Sequence, residues 1–219
     1  MRLVFFSPFL AALCPALSLA ACPQLEKPDS VVLVYGEVKL GNGQTEPDMM
    51  CIQRGNPTVV ETRLRPNGEP LRVEMDGHRM LSWSIDHGRF NISYETRNAT
   101  GDLTVLHPGQ SVAFDLEKHP DRGPVVTANV EIKAFAAQPV ALSGCTFEMV
   151  RLETLYREPA KTARWDVLFA QNLGYPLASR VHDLDAKTGQ PSRFVFESKA
   201  QSIAPPEEVE RVCHPKPQS

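Results

Sequence analysis

Residues Gly144–Ala200 read GCTFEMVRLETLYREPAKTARWDVLFAQNLGYPLASRVHDLDAKTGQPSRFVFESKA, and this stretch decides the fold class. From Cys145 to Tyr156 the apolar residues first occupy odd positions and then even ones, with the change near Met149–Val150. Because side chains of a strand alternate between two faces, the change predicts a β-bulge there or burial of both faces. Two more alternating runs, Trp165–Phe169 and Phe194–Phe196, follow with turn-forming residues between them. The stretch therefore predicts an antiparallel meander.

Short alternating runs recur in the rest of the chain, most sharply at Val126–Ala134. The runs Leu71–Met75 and Leu81–Ile85 flank Asp76-Gly77, which predicts a hairpin with a two-residue turn. Evidence for a helix is confined to Pro205–Cys213, which has proline at its start and acidic residues in its first turn. We therefore expect a mainly β protein. Its antiparallel meander would form a curved sheet, open barrel or sandwich, with one short C-terminal helix.

The N-terminus predicts export. Met1-Arg2 supplies a positive charge, Leu3–Leu19 is apolar but contains two prolines, and the small residues Ala20-Ala21 follow. This pattern is typical of a signal peptide, which we assign to residues 1–21. Residues 22–219 are then expected to form a single β-rich domain. The mature protein is expected in the periplasm, either soluble or lipid-anchored.

The cysteines support two interpretations. Leu19–Cys22 has the pattern of a bacterial lipobox, which makes Cys22 a lipidation candidate. Removal of the signal also leaves Cys22, Cys51, Cys145 and Cys213, an even number that suits disulfides in an oxidising compartment. We expect Cys145 to pair with Cys213, since both belong to the C-terminal half of the fold. The alternative pairing joins Cys51 to Cys145.

Charge and composition exclude several partners. Without Arg2 the chain carries 22 basic and 26 acidic residues, a net charge of −4, and the basic residues are scattered. Nucleic acid binding requires a concentrated basic surface and is not expected. A polybasic patch for a membrane surface is absent from the sequence as well. Contact with a membrane is expected only through a lipid anchor at Cys22.

Motifs for catalysis are missing from the sequence. The six histidines show none of the close spacings typical of metal ligands, so no metal site and no cofactor is predicted. An enzyme would require residues that converge only in space, such as His182 with Asp183 or Glu197. On a strand, His182 and Asp183 point to opposite faces. We therefore predict no catalytic residue and expect a protein that is not an enzyme.

One set of side chains suggests a binding function. Large apolar residues are expected to share one face of the meander, either as ordinary core or as a concave surface for a lipid or another apolar ligand. The candidate ligand-binding residues are Phe147, Met149, Trp165, Phe169, Phe194 and Phe196.

A resemblance accompanies this pattern. The turns Leu173–Leu177 and Asp185–Gly189, set in a meander after an export signal, resemble those of uncharacterised bacterial exported and lipoprotein β-sheet proteins of the half-barrel lipoprotein-carrier kind. The resemblance implies a non-catalytic envelope protein and transfers no functional residue. Two hypotheses follow. The chain binds an apolar ligand, or it docks an envelope protein on an exposed strand edge or on the polar segment Lys118–Pro124.

Overall fold

The computed structural model describes residue 22 and residues 30–55, 58–64, 70–77, 79–85 and 90–214. The signal peptide predicted for residues 1–21 lies outside this part of the chain. Fourteen strands and one helix lie within the described ranges: β1 (Val31–Leu40), β2 (Thr45–Arg54), β3 (Val59–Leu64), β4 (Pro70–Asp76), β5 (Arg79–Ile85), β6 (Phe90–Arg97), β7 (Ser111–Pro120), β8 (Val126–Ala136), β9 (Val140–Leu142), β10 (Cys145–Phe147), β11 (Met149–Glu158), β12 (Lys161–Ala170), β13 (Tyr175–Leu184), β14 (Pro191–Ile203) and α1 (Pro206–Cys213).

Twelve of these strands form one antiparallel barrel in the order β1-β14-β13-β12-β11-β8-β7-β6-β5-β4-β3-β2. The ring closes at β1, which hydrogen-bonds to β14 along one edge and to β2 along the other. The two remaining strands, β9 and β10, form a separate small hairpin. The predicted fold class, an antiparallel meander with one short C-terminal helix, is confirmed. The sequence left open a curved sheet, an open barrel or a sandwich, whereas the strand pairing forms a closed barrel.

Alternation along each strand places apolar side chains inside the barrel. In β8 the residues Ala128, Val130, Ile132 and Ala134 are buried, whereas the intervening residues face outward and are mostly exposed. Burial of a side chain as large as valine or isoleucine contributes roughly 1.5–3 kcal/mol. The alternation that predicts this strand therefore also specifies which of its faces turns toward the lumen.

Two segments fill part of the lumen. About eight strands already give an interior that wall side chains can fill, so a ring of twelve leaves additional space. Residues 98–110, between β6 and β7, add Leu103 and Leu106 to the buried cluster formed by β7, β8 and β11. The β9–β10 hairpin adds Phe147, which is fully buried in one cluster with Val34 and Met50. Segments that connect the barrel strands thus fill part of the barrel interior.

The change of apolar phase in the sequence has a different origin from the predicted bulge. Cys145–Phe147 pairs with β9, Glu148 belongs to no strand, and β11 begins at Met149 between β8 and β12. A bulge at Met149–Val150 is therefore wrong, whereas the alternative, burial of both faces, is confirmed at the start of β11, where Met149 and Val150 are both buried. The apolar residues change from odd to even positions because the chain leaves the small hairpin and enters the barrel wall. Two separate strands need not bury residues at positions of the same parity.

Helix α1 packs on the outer surface of the barrel, against β1 and β2. Its Val209 packs with Leu33 and Cys51, whereas Val32 and Val34, the neighbours of Leu33 along β1, belong to the lumen cluster. The helix begins within one residue of its predicted start. In the described part of the chain, no helix has the length and apolar character needed to cross a membrane.

The disulfides join Cys22 to Cys145 and Cys51 to Cys213, with Cα–Cα distances of 5.4 and 5.8 Å. The predicted Cys145–Cys213 bond is wrong, and so is the alternative between Cys51 and Cys145. Helix α1 follows β14, and β14 pairs with β1, so the helix reaches the outer face of β1 and β2, where Cys51 lies. Cys145 instead belongs to the lumen cluster.

The disulfide at Cys22 bears on the two interpretations of that residue. A sulfur bonded to Cys145 cannot also form the thioether of a lipid anchor. The pairing seen in the structure and lipidation of Cys22 therefore exclude each other in any one molecule.

Non-reducing peptide mapping is expected to yield crosslinked peptides that join Cys22 to Cys145 and Cys51 to Cys213. The double variant Cys51→Ala, Cys213→Ala opens a loop with a sequence separation of 162 residues. It is expected to lower the free energy of unfolding by roughly 3–5 kcal/mol, because the unfolded chain gains freedom. A diacylglyceryl mass on the Cys22 peptide, or a Cys145–Cys213 crosslink, would contradict this pairing.

The β4–β5 hairpin turns one residue later than the sequence predicts. Asp76 pairs with Arg79, so Asp76 ends β4 and is not a turn residue. The positive φ expected at Gly77 is confirmed, at 57°. An added Cβ would also lie 2.4 Å from the carbonyl oxygen of Thr104. Glycine at this position therefore allows the hairpin to touch the 98–110 segment that enters the lumen.

Gly77→Ala is expected to lower the free energy of unfolding by roughly 2–4 kcal/mol, because left-handed backbone strain adds to the clash with Thr104. Gly43→Ala is the matched control, since Gly43 has a φ of 85° and an added Cβ there meets no atom within 4 Å. Its cost is expected near 1 kcal/mol, from the backbone alone. Urea denaturation measures both variants, and equal losses would show that the Thr104 contact adds nothing.

Candidate binding cavity in the barrel lumen

Two adjoining cavities lie inside the barrel, an inner cavity of about 100 Å³ and an outer cavity of about 240 Å³. Tyr156 and Trp165 line both, so the cavities meet at these two rings. The inner cavity is lined by Met75, Gly77, Ile132, Leu152, Thr154, Tyr156, Trp165, Val167, Phe169, Pro176 and Ser179. The outer cavity is lined by Tyr94, Lys118, Tyr156, Glu158, Lys161, Ala163 and Trp165.

The inner cavity is lined by side chains from opposite walls of the barrel. Met75 belongs to β4 and Phe169 to β12, which lie six positions apart in the ring of twelve strands. Side chains from such strands can line one space only across the lumen. Most of the lining is apolar, and its hydroxyl-bearing residues are Thr154, Tyr156 and Ser179. The inner cavity therefore suits an apolar body and offers few polar contacts.

The outer cavity carries charged groups. Lys118 on β7 donates a hydrogen bond to the Glu158 carboxylate at the end of β11, and its Nζ lies 5.9 Å from the centre of the Tyr156 ring. Lys161 begins β12 and contributes a second ammonium group to the lining. The polarity of Lys118–Pro124 predicts an exposed loop or hinge, but β7 continues to Pro120. This correction places Lys118 in the barrel wall.

A carboxylate behind Lys161 is shared by two cations. Asp183 Oδ1 lies 2.8 Å from the Lys161 ammonium nitrogen, and Asp183 Oδ2 lies 2.7 Å from Nη2 of Arg193. Burial alone would raise the pKa of Asp183, but Lys161 and Arg193 outweigh it and the pKa is lowered. Asp183 is therefore ionised at neutral pH, and this ion pair holds Lys161 at the edge of the cavity.

The two tyrosines of the outer cavity are neutral hydrogen-bonding groups. Burial raises the pKa of the Tyr156 hydroxyl, and Tyr94 and Glu158 raise it further. Burial also raises the pKa of Tyr94, with Glu158 as the second cause. Both hydroxyls therefore keep their protons at physiological pH and can donate to a ligand.

The structure distributes the six sequence-predicted binding residues over several environments. Trp165 and Phe169 line the cavities. Phe196 supports Trp165 edge to face, with ring centres 6.2 Å apart. The other three lie elsewhere: Phe194 packs against His182, and Phe147 and Met149 belong to the lumen cluster that contains Val34. A single face was expected because the boundary at Glu148 is not visible in the sequence.

The cavity also contains residues that sequence reasoning did not single out. Tyr156, Lys118, Glu158 and Lys161 come from three strands. Of these four residues, only Tyr156 shows a signal in the sequence, because it alternates in step with the apolar residue Leu152 on the same strand. The convergence of the charged side chains depends on strand order, which the sequence does not display.

The histidine and carboxylates considered for catalysis have other contacts. The ring of His182 lies 5.6 Å from the ring of Phe194. Glu197 accepts from the Arg180 guanidinium at 2.5 Å, and Asp183 is bound by its two cations. The structure thus gives both carboxylates cationic partners in place of His182.

A buried polar cluster links distant strands of the barrel. Arg63 donates to Glu61 and, at 3.0 Å, to Asp48 Oδ2. The Tyr175 hydroxyl donates to Glu61 Oε2 at 2.5 Å, and Ser198 donates to Asp48 at 3.4 Å. Tyr175 lies on β13 and Glu61 on β3, with β14, β1 and β2 between them in the ring. The hydroxyl therefore bridges the lumen.

The ion pairs and hydrogen bonds within this cluster offset the free-energy cost of burying its charged groups. Burial lowers the pKa of Arg63, but Glu61, Tyr175 and Asp48 outweigh it, so the guanidinium remains charged. Burial is the largest cause that raises the pKa of Tyr175, and Glu61 is the next, so the hydroxyl remains a donor. Buried charges are tolerated when they are paired and hydrogen-bonded.

Tyr175→Phe is expected to lower the free energy of unfolding by about 1–3 kcal/mol, because Glu61 loses a hydrogen bond while it stays buried. Tyr156→Phe is the control, since the Tyr156 ring packs against Trp165 and lies under the Lys118 ammonium group, and both contacts are kept by phenylalanine. Urea denaturation of both variants measures the difference. Equal losses would remove the special role of the Glu61 contact.

One exposed group has metal-ligand chemistry. Ligand atoms of Glu95, Glu117 and His119 lie within 4.8 Å of one another on β6 and β7. The Arg97 guanidinium already contacts both carboxylates at 3.2 Å. Glu95, Glu117 and His119 are therefore explained as members of a surface ion-pair network with Arg97.

The fold and the cavity define an antiparallel β-barrel whose lumen holds an apolar chamber next to a charged one. No family model and no curated protein matches the sequence. Among solved structures, the chain is similar to the hypothetical lipoprotein YmcC from Escherichia coli (K12), with 12% identity, 79% of this chain and 85% of that chain covered, and a TM-score of 0.42. A similarity at this level carries no functional argument.

Proposed function

We propose that this chain is an exported, non-catalytic binding protein that holds a small amphipathic ligand in the barrel lumen. The observation that carries the proposal is the meeting of an apolar cavity and a charged cavity at Tyr156 and Trp165. A ligand with an apolar body and a polar end matches both environments at once. The outer cavity of about 240 Å³ and the inner cavity of about 100 Å³ together reach the lower end of the size range of small-molecule sites, which is roughly 300–1,000 Å³.

Export is supported by the signal pattern of residues 1–21 and by two disulfides, which persist in oxidising compartments such as the periplasm. The Cys22–Cys145 bond favours a soluble periplasmic protein over a lipid-anchored one. The scattered basic residues and negative net charge argue against nucleic acid as a partner.

The alternative, an interaction module for an envelope protein, has less support. Strand addition requires an unpaired edge, and each of the twelve described barrel strands is paired on both sides. Of the segment Lys118–Pro124, the exposed part is residues 121–124, and Lys118 faces the outer cavity. Lumen binding accounts for more of the observed geometry.

Val167→Phe is expected to weaken binding of 1-octanol by at least about tenfold, or roughly 1.4 kcal/mol, because the larger ring occupies the inner cavity. Ser179→Leu narrows the same cavity from β13 and should act in the same direction. Val105→Phe is the matched control, since Val105 is 53% exposed. Isothermal titration calorimetry measures the affinity, and circular dichroism verifies the fold. Unchanged binding in both cavity variants would exclude the lumen as the site.

A further inference from the structure

We propose that the ligand of this cavity is an anionic amphiphile whose carboxylate binds at the outer cavity, between Lys118 and Lys161. The inference rests on the proposed function and specifies the chemical class of the ligand. It depends on the balance of donors, acceptors and charges around the outer cavity.

The outer cavity is rich in hydrogen-bond donors. Each lysine ammonium has three N–H groups, and the two tyrosine hydroxyls are protonated. Among the lining residues, Glu158 is the one carboxylate, and Lys118 already donates to it. A ligand that supplies acceptor oxygens therefore complements this surface, and a carboxylate supplies two.

Positive charge also exceeds negative charge at this rim. Lys161 and Arg193 share the Asp183 carboxylate, while Lys118 is paired with Glu158. Three cations therefore stand opposite two anions among these described residues. A bound anionic head group would balance these charges. Hydrogen bonds from the charged lysines to such a group are also stronger than hydrogen bonds between neutral groups.

A cationic head group fits less well, although aromatic rings are present. Tyr94, Tyr156 and Trp165, together with Glu158, have the composition of a cage for a quaternary ammonium ion. The ammonium group of Lys118 already lies over the Tyr156 ring and binds Glu158. The protein thus supplies its own cation to this position, and a second one would be repelled.

The position of the two lysines sets the orientation of the ligand. Lys118 on β7 and Lys161 on β12 are separated in the barrel wall by β8 and β11, so a head group between them lies above the Tyr156 side chain. The apolar body then passes Tyr156 and Trp165 into the inner cavity, toward Leu152 and Phe169.

The test uses the full mature chain and three probes with the same octyl chain: octanoate, 1-octanol and octyltrimethylammonium. Calorimetry is expected to show octanoate binding about tenfold or more tightly than 1-octanol, with the cation weakest. Lys161→Gln and Lys118→Gln should each reduce octanoate affinity about five- to tenfold and reduce 1-octanol affinity by a smaller factor, because the alcohol carries no charge. Lys133→Gln is the control for net charge, because Lys133 lies on the outer face of β8 and is 51% exposed.

The outcomes separate the two proposals. Binding of 1-octanol with no preference for octanoate, or a preference for octyltrimethylammonium, would overturn the anionic head group and leave lumen binding in place. Equal loss of octanoate affinity in Lys133→Gln and Lys161→Gln would also overturn it, since net charge alone would then explain the preference. Failure of all three probes to bind would overturn both proposals.

Discussion

β1 hydrogen-bonds along both edges, to β2 and to β14, and the rest of the structure depends on this double pairing. The β1–β14 ladder includes a register shift at Tyr35/Gly36, which bends the strands where the barrel closes. Gly36 permits the close approach, because a Cβ there would lie 2.5 Å from the carbonyl oxygen of Lys199. Without the β1–β14 ladder, β1 and β14 would each present a free edge, and the lumen would be a groove.

Closure of the barrel creates an interior space, and segments that connect the strands fill part of it. A twelve-stranded ring exceeds what wall side chains can fill, so Leu103, Leu106 and Phe147 enter from connecting segments. The Glu61–Tyr175 bond spans another part of the lumen. Among the described residues, the space that remains includes the pair of cavities, with an apolar end and a charged end. The candidate site is thus the part of the interior that neither core nor ion cluster occupies.

The same closure determines the disulfides and the position of the helix. Since β14 ends beside β1, the chain that follows it can lie only near the outside of β1 and β2, where Val209 packs on Leu33. Cys213 then lies within bonding distance of Cys51. Cys145 remains on the lumen side and pairs with Cys22. The two disulfides therefore lie on opposite sides of the barrel wall, with Cys22 bonded on the lumen side and the C-terminal helix bonded on the outside.

The sequence by itself determined the local features of this protein. Alternation in Val126–Ala134 predicted a strand and its buried face, the acidic start after proline predicted α1, and Gly77 predicted a positive φ. These signals are local, because side-chain period and backbone conformation depend on neighbouring residues. Only the tertiary structure decided ring closure, the disulfide pairs, and the placement of Lys118 and Lys161 around one cavity. Each of these depends on which distant strands lie side by side, and that order follows from the packing of the whole barrel, which no single run of residues encodes.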